Sequence, residues 1–239
     1  MMFFHDPLYL AIMVIGGALV FLPQLWVKNT YETFLNAPTR HGRTGQQAAL
    51  RILAENGIAD VTVEMTQGTL SDHYDPAQKA VRLSPDVYRG TSVSSLAIAA
   101  HECGHALQHA RGFYPVVLRS ALVPVVNLGS NLGPLLFMLA LMLGVGSHAG
   151  SLGMLIALAG LVIYGLAVAF HVITLPVELD ASGRALKVLE TQHYLAADEM
   201  PGAKKVLTAA AFTYIATALY ALMELLYWAF RLLGNNRDE

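Results

Sequence analysis

Apolar positions run in long unbroken stretches along this chain, separated by one sizeable polar insert and one short one. The first stretch is Pro7–Val27, with no charged residue inside it. A second covers about Ala121–Gly146, with Asn127 and Asn131 in its first half, and a third covers about Gly150–Leu175. A fourth, about Leu207–Leu233, carries Glu224 and Arg231 in its second half. A helix needs about 20 apolar residues to cross the hydrocarbon core, so each has spanning length. The second and third are separated by little more than GSHAG, which predicts a helical hairpin. Glu224 would cost about 2.5–3.5 kcal/mol at the bilayer centre, which the surrounding Ala, Leu and aromatic residues offset. The first stretch has no basic residues ahead of it and no small-x-small site behind it. It reads as a retained anchor and not as a cleaved signal.

The insert between the first and second stretches has mixed periodicity. Thr44 can cap a helix over Gly45–Asn56, and Gly57 sits where a residue of left-handed conformation ends such helices. Ala48, Ala49, Ile52 and Leu53 give that helix one buried face. DVTVEM then alternates as a strand, with Val61, Val63 and Met65 on one side. LSDHYDPAQK is rich in turn residues, with Asp75-Pro76 marking the turn, and AVRLS reads as a second short strand. Residues 92–110 read as a helix that stops near Gly112. The predicted organisation is an anchor over 1–27, an α/β insert over 28–120, a hairpin over 121–175, a polar segment over 176–206 and a final span with tail over 207–239. The fold class is a mainly α integral membrane protein with four spans.

Composition agrees. Hydrophobic residues make up 55% of the 239 residues and charged residues 13%, with a mean hydropathy of +0.48. Soluble domains average about 25% charge, so an ordinary cytosolic globule is excluded. The net charge is −2 and no basic run exists, which leaves no footprint for nucleic acid. The single cysteine, Cys103, excludes an intrachain disulfide framework and a Cys-rich zinc module. Lys28, Arg40, Arg43, Arg111 and Arg119 flank or lie in the insert, and Arg184, Lys187, Lys204 and Lys205 lie in the shorter polar segment. By the positive-inside rule both regions face the cytoplasm and both termini face outward.

The chemistry lies in the last helix of the insert. His101-Glu102-Cys103-Gly104-His105 is an H-E-x-x-H sequence. On a helix, positions i and i+4 share a face, so both imidazoles can reach one metal ion. Two imidazoles and a carboxylate suit Zn2+ and leave a position for water. Zinc lowers the pKa of that water, and Glu102 is placed to take its proton as general base. The third ligand must come from elsewhere. His109 lies two turns along, about 12 Å from His101, and is too far. The predicted hairpin returns the chain to the same membrane face at LPVELDASGRAL, which makes Glu178 the first choice. Asp180 is a rival ligand, and His171 is also near. Cys103 has the wrong spacing to bind alongside both histidines and reads as a small packing residue.

These segments carry a resemblance. GRTGQQAALRILAENGI, LSDHYDPAQKAVRLS, AAHECGHALQH and LPVELDASGRAL together resemble the YugP-type zinc metallopeptidases of bacterial membranes, over nearly the whole chain. HECGH followed by the Glu178 segment is more distantly similar to the HtpX and prenyl-protein peptidases. The resemblance implies His101, His105 and Glu178 as metal ligands, Glu102 as catalytic base, and a zincin-like insert in a multi-pass protein of the bacterial inner membrane. Ser182 departs from that pattern, standing where an Asp is expected, and Asp180 is a possible substitute. The resemblance also implies an edge strand that pairs with extended substrate. Lys79, Ala80, Val81, Arg82, Leu83 and Ser84 are the candidates. His73, with Tyr74 and Asp75, could cover the mouth of the site as a lid or touch the transition state.

The expected activity is zinc-dependent hydrolysis of peptide bonds, on protein or peptide substrates in contact with membrane lipids. A protease exposed to cytoplasm needs restraint, by a lid or by a regulatory membrane partner. Two other classes remain open. A non-catalytic scaffold with a structural metal site predicts four ligands, and a metal transporter predicts ligands at the bilayer midplane. Asn127, Asn131 and Glu224 could bond across helices or line a wet cavity.

Overall fold

The computed structural model of the chain describes residues 6–124, 126 and 151–234. It is mainly helical with one small sheet. The elements are α1 (Pro7–Leu35), α2 (Gly45–Glu55), β1 (Thr62–Met65), β2 (His73–Asp75), β3 (Ala80–Leu83), α3 (Pro85–Arg89) and α4 (Val93–Ala110). Then come α5, described over residues 114–124, α6 (Ser151–Thr191) and α7 (Met200–Gly234). Among the described residues, three helices are long and apolar enough to cross a membrane: Pro7–Leu35, Gly153–Thr191 and Met200–Leu232. Most of the expected second span, with Asn127 and Asn131, lies outside the described residues.

The helices outrun the apolar stretches that predicted them. α1 continues eight residues past Val27, and α6 continues through Pro176 and Glu178 to Thr191. Glu178 therefore stands on the same helix as the third apolar stretch, and not on a loop after it.

The chain separates into two compact units. One comprises Met1–Phe21, Leu118–Thr174 and Ile215–Glu239. Within it, the Tyr164 hydroxyl on α6 donates to Glu224 on α7 at 2.6 Å, and the Tyr227 hydroxyl donates to Asp6 at 2.8 Å. Glu224 thus bonds across helices, which offsets the cost of placing its carboxylate among apolar side chains.

The other unit comprises Leu22–Val117 and Leu175–Tyr214. Its α2 forms where expected: Thr44 accepts from the Gln47 amide, the Gln47 side chain bonds back to the Thr44 amide, and Gly57 follows with φ +73°. Ala48, Ala49, Ile52 and Leu53 are buried as the pattern required, against α4. The Cys103 thiol packs there, 3.7 Å from the Ala49 carbonyl, and burial pushes its pKa far up. It is a packing residue. Met65 departs from expectation and is 46% exposed.

The sheet order corrects the substrate-strand expectation. It runs β1-β3-β2, with β1 parallel to β3 and β2 antiparallel to it. β3 is the central strand, so both its backbone edges are taken, and strand addition needs an open one. Lys79, Ala80, Val81, Arg82, Leu83 and Ser84 cannot pair with substrate as an edge. Val81 and Leu83 are buried core, Lys79 pairs with Asp60, and Arg82 bridges Glu64 and Asp75. Ser84 donates its amide and hydroxyl to Asp72. The turn-rich stretch hides one of the two outer strands: His73, Tyr74 and Asp75 form β2.

Candidate metal centre

α4 is built to hold its histidines still. Ser92 caps it by accepting from the Ser95 amide at 3.1 Å, and its apolar face is fully buried. His101 and His105 project from one face with ring centroids 4.7 Å apart. α6 brings Glu178, which is 2% exposed, against them. Its Oε2 lies 3.3 Å from His101 Nε2 and 3.5 Å from His105 Nε2. Gly104 permits this approach: a Cβ there would lie 2.7 Å from the Ala181 carbonyl oxygen.

The hydrogen bonds behind the cluster fix its chemistry. Gln108 Nε2 donates to the Val177 carbonyl at 2.7 Å and to Asp180 Oδ2 at 2.8 Å. That orients the amide, so Gln108 Oε1 is an acceptor, 3.0 Å from His105 Nδ1. His105 Nδ1 must then carry the proton of the neutral ring, which leaves Nε2 with a lone pair aimed at Glu178. His101 Nδ1 lies 3.2 Å from the Ser182 hydroxyl. Two imidazole nitrogens and a carboxylate oxygen, all within 4.8 Å of one another, make a donor set that fits a divalent cation. Burial opposes charge on His105, but the Glu178 and Glu102 carboxylates outweigh it and raise its pKa, so protons compete with a metal there.

Among the described residues no other three potential ligands converge. Asp180, the rival ligand, is paired with Arg184 and takes the Gln108 amide, so it supports His105 from behind. His171 is not in the cluster, and His109 is exposed, its Nδ1 3.0 Å from the Tyr74 hydroxyl. Ser182, standing where the resemblance expects an Asp, contacts His101 of the cluster. Gln108 belongs to no motif in the sequence, and its i+3 spacing from His105, which puts it on the same face, is its one local signal.

Glu102 is buried beside this cluster and, with His101, lines a cavity of about 290 Å³. α1, the residues before β2, and α7 supply the other walls, mostly apolar, with Asp72 among them. Burial pushes the Asp72 carboxyl up, the Ser84 amide and hydroxyl work against that, and Glu102 adds to the rise.

Comparison with known proteins agrees with this chemistry. The sequence profile of the family described as "Putative neutral zinc metallopeptidase" matches residues 9–233. The chain is 45% identical over 232 residues to the "Putative membrane protease YugP" of Bacillus subtilis (strain 168), covering 97% of this chain and 98% of that protein. No solved structure matches. With zinc as the metal that its His-His-Glu cluster suits, the chain belongs to this family of zinc metallopeptidases.

Proposed function

We propose that this chain is a multi-pass membrane endopeptidase that cuts polypeptides at a zinc centre held by His101, His105 and Glu178, with Glu102 as general base. The observation that carries the reading is the convergence of those three donors on α4 and α6, with Glu102 opening onto the adjoining cavity. Zinc bound there would acidify a water molecule and polarise the scissile carbonyl. Glu102 takes the proton of the attacking water and passes it to the leaving amine nitrogen. Gln108 holds His105 in the tautomer that keeps Nε2 available, and Ser182 steadies His101.

The substrate reading moves with the sheet order. Of the two outer strands, an extended peptide would add to β2 and not β1, because Leu70 and Asp72, just before β2, share the cavity with Glu102. His73 remains a candidate contact there. The insert is read as zincin-like and the membrane as a bacterial inner one on the family resemblance, the stretch Ala121–Gly146 as a fourth span on its apolar length, and the site as cytoplasmic on the Lys/Arg bias. A structural metal site would have four protein donors, and three converge among the described residues, which favours a catalytic centre over a scaffold.

The test is cleavage of denatured casein by detergent-purified protein. Activity should vanish with a chelator and return with added zinc. A zinc-loaded protein that leaves casein and unstructured peptides intact would contradict the reading.

A further inference from the structure

One polar group in the cavity wall has no role in the chemistry described above. Tyr31, near the end of α1, is 3% exposed and lines the same cavity as His101 and Glu102. Its hydroxyl forms no hydrogen bond of ordinary geometry among the described residues, and the Ser84 hydroxyl that acts on it is itself donated to Asp72. A buried hydroxyl without a partner is rare and costly, and a ligand that brings the partner accounts for it. The tyrosine is also anchored to the helix that carries the metal ligands. Ser94 on α4 donates its hydroxyl to the Tyr31 backbone carbonyl at 2.9 Å. Ser94 lies about two helical turns before His101, so that bond fixes the tyrosine backbone relative to the histidines. Of the other hydroxyl-bearing residues on the cavity wall, Thr213 donates to the Ala210 carbonyl at 2.7 Å, and Tyr214 has an interaction of its own.

We propose that Tyr31 is a catalytic residue, whose hydroxyl donates a hydrogen bond to the scissile carbonyl oxygen as that oxygen gains negative charge. The inference rests on the peptidase reading above. A donor left unpaired in the resting enzyme forms its bond when charge develops, so the interaction favours the transition state over the ground state. No proton is transferred. The phenol stays neutral, shares its hydrogen with the oxyanion, and is unpaired again once the carbonyl reforms and product leaves.

The experiment compares zinc-loaded wild type with Tyr31→Phe in detergent. It measures kcat and KM on a casein-derived peptide, the affinity for a phosphinic peptide that mimics the tetrahedral state, zinc content and the unfolding midpoint. In Tyr31→Phe, kcat should fall about 10²–10³-fold with KM little changed. Phosphinic-peptide affinity should weaken about tenfold or more, since the lost bond is to a charged oxygen. Zinc content and unfolding midpoint should hold, because an unpaired hydroxyl contributes nothing to the resting fold. Unchanged kcat and unchanged phosphinic affinity would overturn the inference. So would a lowered midpoint with lost zinc, which would mark Tyr31 as structural. A wild-type protein that neither cleaves peptide nor binds the phosphinic compound would remove the peptidase reading itself, and this inference with it.

Discussion

Glu102→Gln should abolish measurable proteolysis while leaving about one zinc bound per chain. The substitution keeps the shape of the side chain and its place in the cavity wall, but the amide cannot accept a proton from water and return it to the leaving nitrogen. General-base catalysis of this kind contributes about 10²–10⁴ in rate, so activity should fall by at least that lower figure. Metal content should not follow, because His101, His105 and Glu178 form the cluster without Glu102. Rates on denatured casein, beside metal analysis of the same samples, check both halves. Retained full activity would remove Glu102 from the chemistry. Loss of zinc along with activity would give it a role in holding the metal.

The second large effect belongs to a residue that touches neither metal nor substrate. Gly104→Ala should cost zinc binding and stability together. The added Cβ would meet the Ala181 oxygen at 2.7 Å, and the crowded atom is backbone, so no side chain can swing aside. α4 and α6 must separate, and Glu178 on α6 moves away from both imidazoles. Overpacking of this kind costs about 1–3 kcal/mol, and a displaced ligand weakens the metal site further. Gly183→Ala is the matched control, on the same helix as Glu178 but with nothing within 4 Å of the new atom. Zinc titration and thermal unfolding should show a clear loss for Gly104→Ala and little change for Gly183→Ala. Equal behaviour of the two would mean that the close approach does not set the site.

Legibility in the sequence tracked how local each cause is. The cap at Thr44, the stop at Gly57 and the buried face of α2 depend on neighbours within a turn or two, and the residue pattern carried them. His101 and His105 were legible because a four-residue spacing on a helix is itself a geometry. Glu178 follows in the sequence from a predicted return of the chain across two apolar stretches, and it lies beside the histidines, on the helix that continues the third stretch. Non-local causes stayed hidden. Nothing in AVRLS says that strands lie on both of its sides, so β3 looked like an edge. β2 is three residues long and sits inside a turn-rich stretch, where no periodicity can register. Gln108 matters only because Asp180 and Val177 arrive from another helix, and Tyr31 because α1 continues past its apolar stretch.

Glu178 should complete the metal site, and Asp180 should not. Metal content of detergent-purified wild type, Glu178→Ala and Asp180→Ala, each supplied with saturating zinc, tests it directly. About one zinc per chain is expected for wild type and for Asp180→Ala, whose carboxylate is paired with Arg184 and reaches His105 only through Gln108. Glu178→Ala should retain almost none. Zinc kept by Glu178→Ala and lost by Asp180→Ala would contradict a site made by His101, His105 and Glu178.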